Sequence, residues 1–352
     1  NKVPKFSFEE TVHVTKFSIV IPFRNEAENL TNILESIEKL NYASDFFEVI
    51  FVNDASEDNS ETIIFEAIKK SKFTINLIQN KRTSNSPKKD AITEAIKNSN
   101  FEWIVTTDAD CEIPKNWLKK LDLFIQKNNP VMVCGPVIYE SNGNFIQNFQ
   151  QLDGFSLQAV TIGSFGFKAP LLNNGANLAY KKMSYFIVNG FSGNNHIASG
   201  DDIFLLEKMK KHFPDKVHFL KSKEAIVSTK PQTNWKNLIN QRIRWASKTS
   251  KQKNPISILL GFWVFLVNIS ILAIPFLIIC DLGNWGFYLF LFYFKMISDY
   301  SIVYQSASFF NKKISFSKFH LQIFVYATIV FVTVFGGLRG KYSWKGRSFQ
   351  KQ

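Results

Sequence analysis

Asp108 and Asp110, separated only by Ala109, follow directly on an apolar run that begins near Trp103. Where a strand breaks into a loop, two carboxylates so spaced can hold a hard divalent cation that also contacts a diphosphate. An aspartate capping a turn has the same local look, and the tripeptide alone does not separate the two. A second acidic run, Val52-Asn53-Asp54-Ala55-Ser56-Glu57-Asp58, offers the carboxylate of Asp54 as an acceptor for the imide of a uracil ring. Within it, Ser56 and Asp58 read as turn or helix-capping residues. The third cluster, Ser199-Gly200-Asp201-Asp202-Ile203, opens a helix whose apolar residues are Ile203, Leu205, Leu206 and Met209. Asp202 there is either a helix cap or a base that takes a proton from an acceptor hydroxyl. Last, Gln241, Arg244 and Trp245 lie three to four positions apart, so amide, guanidinium and indole share one helical face. An arginine so placed can neutralise a departing diphosphate, and the indole can offer a flat surface to a sugar or a lipid-linked acceptor. A basic interfacial helix with Trp at the headgroup level is the alternative.

The elements that must hold these residues alternate between strand and helix. Phe17-Ser-Ile-Val-Ile-Pro22 reads as a buried strand, and Leu30, Ile33, Leu34, Ile37 and Leu40 form the apolar stripe of a helix. Further strands are expected at Glu48–Val52, Thr74–Ile78 and Trp103–Thr107, with helices at Ile63–Lys70 and Lys89–Asn98. Such alternation implies an α/β fold with a mainly parallel central sheet, whose ligands bind beyond the carboxyl ends of the strands. The acidic clusters fall at those ends.

Residues 1 to 253 have the composition of an ordinary α/β sequence, whereas 256 to 339 are dominated by Phe, Leu, Ile and Val. Ile256–Cys280 carries no formal charge and is long enough to cross about 30 Å of hydrocarbon. Trp285–Gln305 is apolar but holds Lys295 and Asp299, which four residues apart can pair on one helix face. Phe319–Leu338 is again nearly free of charge. The expectation is two to three transmembrane helices. The net charge of +13 concentrates beside these segments: Arg242, Arg244, Lys248, Lys251 and Lys253 precede the first; Lys312, Lys313 and Lys318 lie before the last; Arg339, Lys341, Lys345, Arg347 and Lys351 follow it. Juxtamembrane basic residues favour a cytoplasmic leaflet, and without any nucleic-acid module the charge argues for a membrane and against nucleic acid as partner. Cys111, Cys134 and Cys280 lack C-x-x-C spacing, which excludes a disulfide framework or a cysteine zinc site.

In this order the motifs resemble the family 2 glycosyltransferases, over residues 17 to 248. The pieces are Ile21-Pro22-Phe23-Arg24-Asn25-Glu26, Val52-Asn53-Asp54-Ala55-Ser56, Lys88-Lys89-Asp90-Ala91, Asp108-Ala109-Asp110, Asn174-Gly175-Ala176-Asn177, Gly200-Asp201-Asp202 and Gln241-Arg242-Ile243-Arg244-Trp245. The resemblance implies the nucleotide-diphospho-sugar-binding fold called GT-A, with C-terminal transmembrane helices. It implies donor contacts at Pro22, Asn25, Glu26, Asp54, Lys89 and Asp108, a divalent cation (Mg2+ or Mn2+) on Asp108 and Asp110, and Asp202 as general base. Gln241, Arg244 and Trp245 match a Q-x-x-R-W motif of cellulose-synthase-like and hyaluronan-synthase-like members, near diphosphate and acceptor. Two positions depart from the usual pattern: Asn53-Asp54 stands for a paired acid, and Gly-Asp-Asp for the commoner Glu-Asp. The implied reaction is inverting transfer of a sugar from a nucleotide-sugar, favouring UDP-sugars, to a lipid-linked or membrane-proximal glycan acceptor. A processive polysaccharide synthase is the alternative, and a nucleotide-sugar sensor without catalysis a more distant one. The expected organisation is an N-terminal extension (1–16), a catalytic domain facing the cytoplasm (17–253), an integral membrane region (254–339) and a basic tail (340–352).

Overall fold

The side chains of Phe17 through Ile21 are fully buried in β1 (Phe17–Phe23). A strand covered on both faces needs helices on both sides, and the chain supplies one after each of its first strands. The order is α1 (Ala27–Glu38), β2 (Phe47–Asn53), α2 (Ser60–Lys70), β3 (Thr74–Gln79), α3 (Pro87–Asn98) and β4 (Trp103–Thr106). Every residue of β2 is buried, and α1 turns Leu30, Ile33, Leu34 and Ile37 inward. The expected starts at Glu48, Ile63 and Lys89 move back to Phe47, Ser60 and Pro87. The structure is a computed structural model that describes residues 3–5, 12–195, 197–249, 254–339, 341–344 and 347–350. Lys251, Lys253, Lys345 and Lys351 of the basic clusters, with parts of the N-terminal extension and of the tail, lie outside the described residues.

Beyond β4 come β5 (Cys111–Glu112), α4 (Trp117–Asn128), β6 (Met132–Cys134), β7 (Val137–Tyr139), α5 (Phe145–Gly166), β8 (Leu178–Lys181), α6 (Lys182–Ile187), α7 (Ile203–His212), β9 (Val217–Phe219) and β10 (Val227–Thr229). The main sheet has seven strands in the order β3-β2-β1-β4-β8-β6-β9, and β5, β10 and β7 form a small second sheet. Strands β3, β2, β1 and β4 are parallel, as are β6 and β9, whereas β8 runs antiparallel to both β4 and β6. The sheet is therefore mixed, with its parallel half as expected and one reversed strand that the alternation did not announce. Register pairs Thr106 with Leu178, so the segment entering β8 arrives beyond the carboxyl end of β4.

That segment is anchored by Asn177. Its amide accepts a hydrogen bond from Trp117 Nε1 at 2.9 Å and donates to the carbonyls of Pro136 and Ala225. Gly135 permits the approach: a Cβ there would lie 2.4 Å from the Asn177 side chain. Pro22 is accommodated in β1 because β4 pairs only as far as Val20, and no ladder bond from its neighbour is lost.

The chain divides into two compact units, Asn1–Glu140 with Val160–Lys230, and Ser141–Ala159 with Pro231–Gln352. The first holds the main sheet. The second contains α8 (Trp235–Thr249), α9 (Pro255–Cys280), α10 (Trp285–Phe309), α11 (Phe316–Arg339) and a hairpin of β11 (Lys341–Trp344) with β12 (Arg347–Gln350). Within it α8 packs closely on α11, since a Cβ on Gly336 would meet Ile243 at 2.6 Å. Phe149, Leu238 and Ile329 form its small buried cluster. Among the described residues two helices are long and apolar enough to cross a membrane, α9 and the Phe319–Gly337 stretch of α11. On α9 the large side chains are outside rather than inside: Phe262, Trp263 and Phe276 are all more than half exposed.

Candidate active site

The loops after β1 and β2 are knitted together at the carboxyl edge of the sheet. Arg24 donates to the carbonyl of Asp54 and pairs with Glu57, Asn25 Oδ1 accepts from the Glu57 amide, and Ser56 Oγ accepts from the Asn25 amide. Asn25 and Ala55 both sit at positive φ, 51° and 56°. Asn tolerates that region, and Ala55 is held there by the bonds on either side. Glu26 accepts from the Asn29 amide, and its own backbone N–H donates to Ser60. Asp58 receives the N–H groups of Ala27 and Ser60. Burial favours its neutral form, but these hydrogen bonds, with the Ser60 side chain first among them, hold its carboxyl below the ordinary range.

Asp54 is buried at the floor of this edge. One oxygen accepts from Asn80 Nδ2 and from Arg82 Nε, each at 2.7 Å. Neither Asn80 nor Arg82 follows from a motif; both come from the irregular stretch between β3 and α3.

Beyond β4, Asp108 lies 2.6 Å from Lys88 Nζ, and the same ammonium is 3.3 Å from Asp201. Three elements thus meet: the β4 exit, the first turn of α3, and the loop before α7. Burial by itself would favour the neutral amine of Lys88, but the charges of Asp108 and Asp201 push its pKa above the ordinary lysine value. Gly175 closes the group, for a Cβ there would lie 2.8 Å from the Asp201 carboxylate. Its carbonyl accepts from Thr106 Oγ1 at 2.7 Å, which ties the entry of β8 to the exit of β4. The Cys111 thiol is pushed well up, first by burial and then by the carboxylates of Asp110 and Asp108.

Asp202 is the N-cap of α7 and accepts from the Ile203 N–H at 2.7 Å. Asn173 donates to its carbonyl. The lysine beside the acidic pair is Lys88, and its neighbour Lys89 points elsewhere, donating to the carbonyls of Asn194 and Ile197. The expected donor contact is Lys89; Lys88 stands four residues and Lys89 three residues before Ile92, so both can share its helical face and spacing does not separate them. Gln241, Arg244 and Trp245 lie on α8 in the second unit. There Arg242 pairs with Asp153 and stacks 4.2 Å from the Trp245 ring, while Gln241 accepts from Arg242.

Among the described residues, no group of three His, Cys, Asp or Glu side chains is arranged to hold a metal. Asp108 and Asp110 supply two carboxylates, and the Asp108 side chain is 35% exposed. Mg2+ and related hard ions commonly take one or two protein carboxylates and complete their shell with substrate phosphates, so this donor set fits a cation that arrives with a diphosphate. A separate cavity of about 630 Å3 opens at the opposite edge of the sheet, lined by Lys16, Asn100, Glu102 and Lys181, and touches none of these residues.

Residues 18–190 match the protein-family description Glycosyl transferase family 2. Over 114 residues it is 29% identical to the poly(ribitol-phosphate) beta-N-acetylglucosaminyltransferase TarS of Staphylococcus aureus, covering 32% of this chain and 19% of that protein. Over 105 residues it is 32% identical to the poly-beta-1,6-N-acetyl-D-glucosamine synthase of Staphylococcus epidermidis, covering 30% of this chain and 24% of that one. The chain thus spans less than a quarter of the length of these two relatives. In fold it is similar to the mannosyltransferase PcManGT of Pyrobaculum calidifontis, solved with GDP-Man and Mn2+: TM-score 0.59 at 13% identity, over 96% of this chain and 90% of that one. The architecture is accordingly of the GT-A kind.

Proposed function

We propose that this protein transfers a sugar from a nucleotide-diphospho-sugar, a UDP-sugar in first place, to a lipid-linked or membrane-proximal glycan acceptor with inversion at the anomeric carbon. The observation that carries the reading is the meeting of Asp108, Lys88 and Asp201 at the carboxyl edge of the sheet that also holds Asp54. Mg2+ or Mn2+ on Asp108 and Asp110 supplies Lewis-acid neutralisation of the departing diphosphate. Solution of a neighbour in fold with Mn2+ supports the choice of ion.

The chain's own residues do the rest. Asp54, in the loop that Arg24 holds by the Asp54 carbonyl and Asn25 by the Glu57 N–H, accepts from the base; Pro22, Asn25 and Glu26 line the same edge. Lys88 takes the diphosphate contact, because its ammonium already stands beside Asp108. An ammonium fixed where negative charge develops lowers the barrier without reorganising. The acceptor oxygen bonds to the anomeric carbon as the bond from that carbon to the diphosphate oxygen breaks. Its electron pair leaves with the nucleoside diphosphate, and the acceptor proton goes to Asp202. Capping and proton transfer are compatible, since a carboxylate has two oxygens. Arg244 and Trp245 are assigned to diphosphate and acceptor, with Gln241 beside them.

The acceptor class is supported by the exposed apolar surface of α9 and by α11, which suit an integral membrane region. The activity named for TarS supports a glycan acceptor and an N-acetylglucosamine donor. Free Cys111 and Cys134 and the basic residues before α9 suit a catalytic domain in the cytoplasm. A processive synthase is the second reading, favoured by the Gln241–Trp245 motif and by likeness to the poly-N-acetylglucosamine synthase. Screening the purified protein for nucleoside-diphosphate release from UDP- and GDP-sugars, with Mn2+ or Mg2+, tests the proposal. Release from one donor with metal is expected; none from any donor would overturn it.

A further inference from the structure

Lys89 is 1% exposed, and burying its charge is costly unless it is hydrogen-bonded. It donates to Asn194 O at 2.7 Å and Ile197 O at 2.9 Å, both in the segment that leads into Gly200-Asp201-Asp202. It also lies 5.0 Å from the ring of Phe204, two residues after Asp202 on α7. The earlier part of the same segment is held by Lys208, whose ammonium reaches the carbonyls of Gly190 and Ser192 at 2.6 and 2.7 Å. At the far end Gly200 turns the chain at φ +84°, and Asp201 then meets Lys88.

We propose that Lys89 is a positioning residue: by holding the carbonyls of Asn194 and Ile197, it sets where Asp201 and Asp202 stand relative to the acidic pair beyond β4. Consecutive residues of one helical turn thereby do different work. Lys88 faces Asp108, while Lys89 fixes the segment that delivers the base. Backbone carbonyls are the partners, so the identities of the loop side chains matter less than the donor at position 89. The role rests on the reading of Asp202 as the base, but the attachment of the segment does not.

Lys89→Met tests both parts in the full chain. Amide exchange over residues 190–195 is expected to rise at least tenfold. Binding of UDP with Mn2+ should stay within about threefold of wild type, while kcat for transfer falls roughly tenfold to a hundredfold with little change in donor KM. Lys89→Gln, which keeps one donor, should recover part of both the protection and the turnover; it serves also if the methionine variant does not fold. Loss of UDP affinity in step with activity, at unchanged exchange, would make Lys89 a diphosphate ligand and overturn the proposal. Unchanged exchange with unchanged turnover overturns it as well. Loop release in a protein whose wild type binds no UDP would refute the UDP-sugar donor and leave the attachment standing.

Discussion

Lys88 Nζ lies 2.6 Å from Asp108 and 3.3 Å from Asp201, so one ammonium balances carboxylates from two different loops. Replacing it by methionine leaves those carboxylates to repel each other and removes the cation from the diphosphate. Lys88→Met should lower kcat by roughly a hundredfold or more, the scale for losing one fixed electrostatic donor. Because the folded-state pKa of Lys88 is raised, its contribution to stability is complete below the unfolded value of about 10.4 and disappears only as pH rises through the higher folded value. The melting-temperature deficit of the variant should therefore be flat between about pH 6 and 9. A deficit that vanishes within that interval would show that Lys88 is not held charged.

Asp110→Asn should abolish turnover and weaken metal-dependent donor binding without altering the fold, because an amide is a poor ligand for a hard cation. Titration of Mn2+ by its paramagnetic relaxation effect, in the presence of UDP, reads the binding directly. Full activity without added metal would remove Asp110 from the site.

Asp202→Asn separates the cap from the base. Asparagine can still accept from the Ile203 N–H but cannot take a proton at neutral pH. Donor affinity and melting temperature should stay near normal while turnover drops by roughly a hundredfold. Near-native turnover would leave Asp202 only its capping role.

Asp58 carries a prediction about stability alone. Its carboxylate receives the N–H groups of Ala27 and Ser60, and its removal in Asp58→Ala should cost about 1 kcal/mol at neutral pH, the usual worth of a cap. Since its folded pKa is depressed, that contribution is present above the unfolded value of about 3.9 and is lost as pH falls through the lower folded one. Denaturant melts of the two proteins should thus converge at low pH; a difference that persists there would mean the loop is destabilised by something other than the charge.

The first four strands and the helices between them were legible because each carries an apolar run or stripe long enough to show its period, as Phe17–Pro22 and Leu30–Leu40 do. The short strands β5, β6, β7, β9 and β10 have only two or three residues each and show no such period. Their positions are set by partners far away in sequence. The same limit applies to the site. Asp108 and Asp110 announce themselves by type and spacing, and Asp54 by its place after a strand. Arg82 and Asn80 are visible only once the loop brings them to Asp54. Gly175, likewise, matters through the side chain it makes room for.

The reversed strand β8 has a consequence for fidelity of assembly. Sliding it by two residues along β4 would keep every side chain on its original face, so apolar burial gives little protection against that error. Yet the slip would carry Gly175 about 7 Å away from Lys88 and Asp201. What penalises it is polar: the Thr106 hydroxyl on the Gly175 carbonyl, and the bonds of the Asn177 side chain to the Trp117 indole and the Pro136 and Ala225 carbonyls. The accuracy of the acidic cluster is thus guarded by the hydrogen bonds on Gly175 and Asn177, and variants lacking them can be well folded by every bulk measure while misaligned at the site.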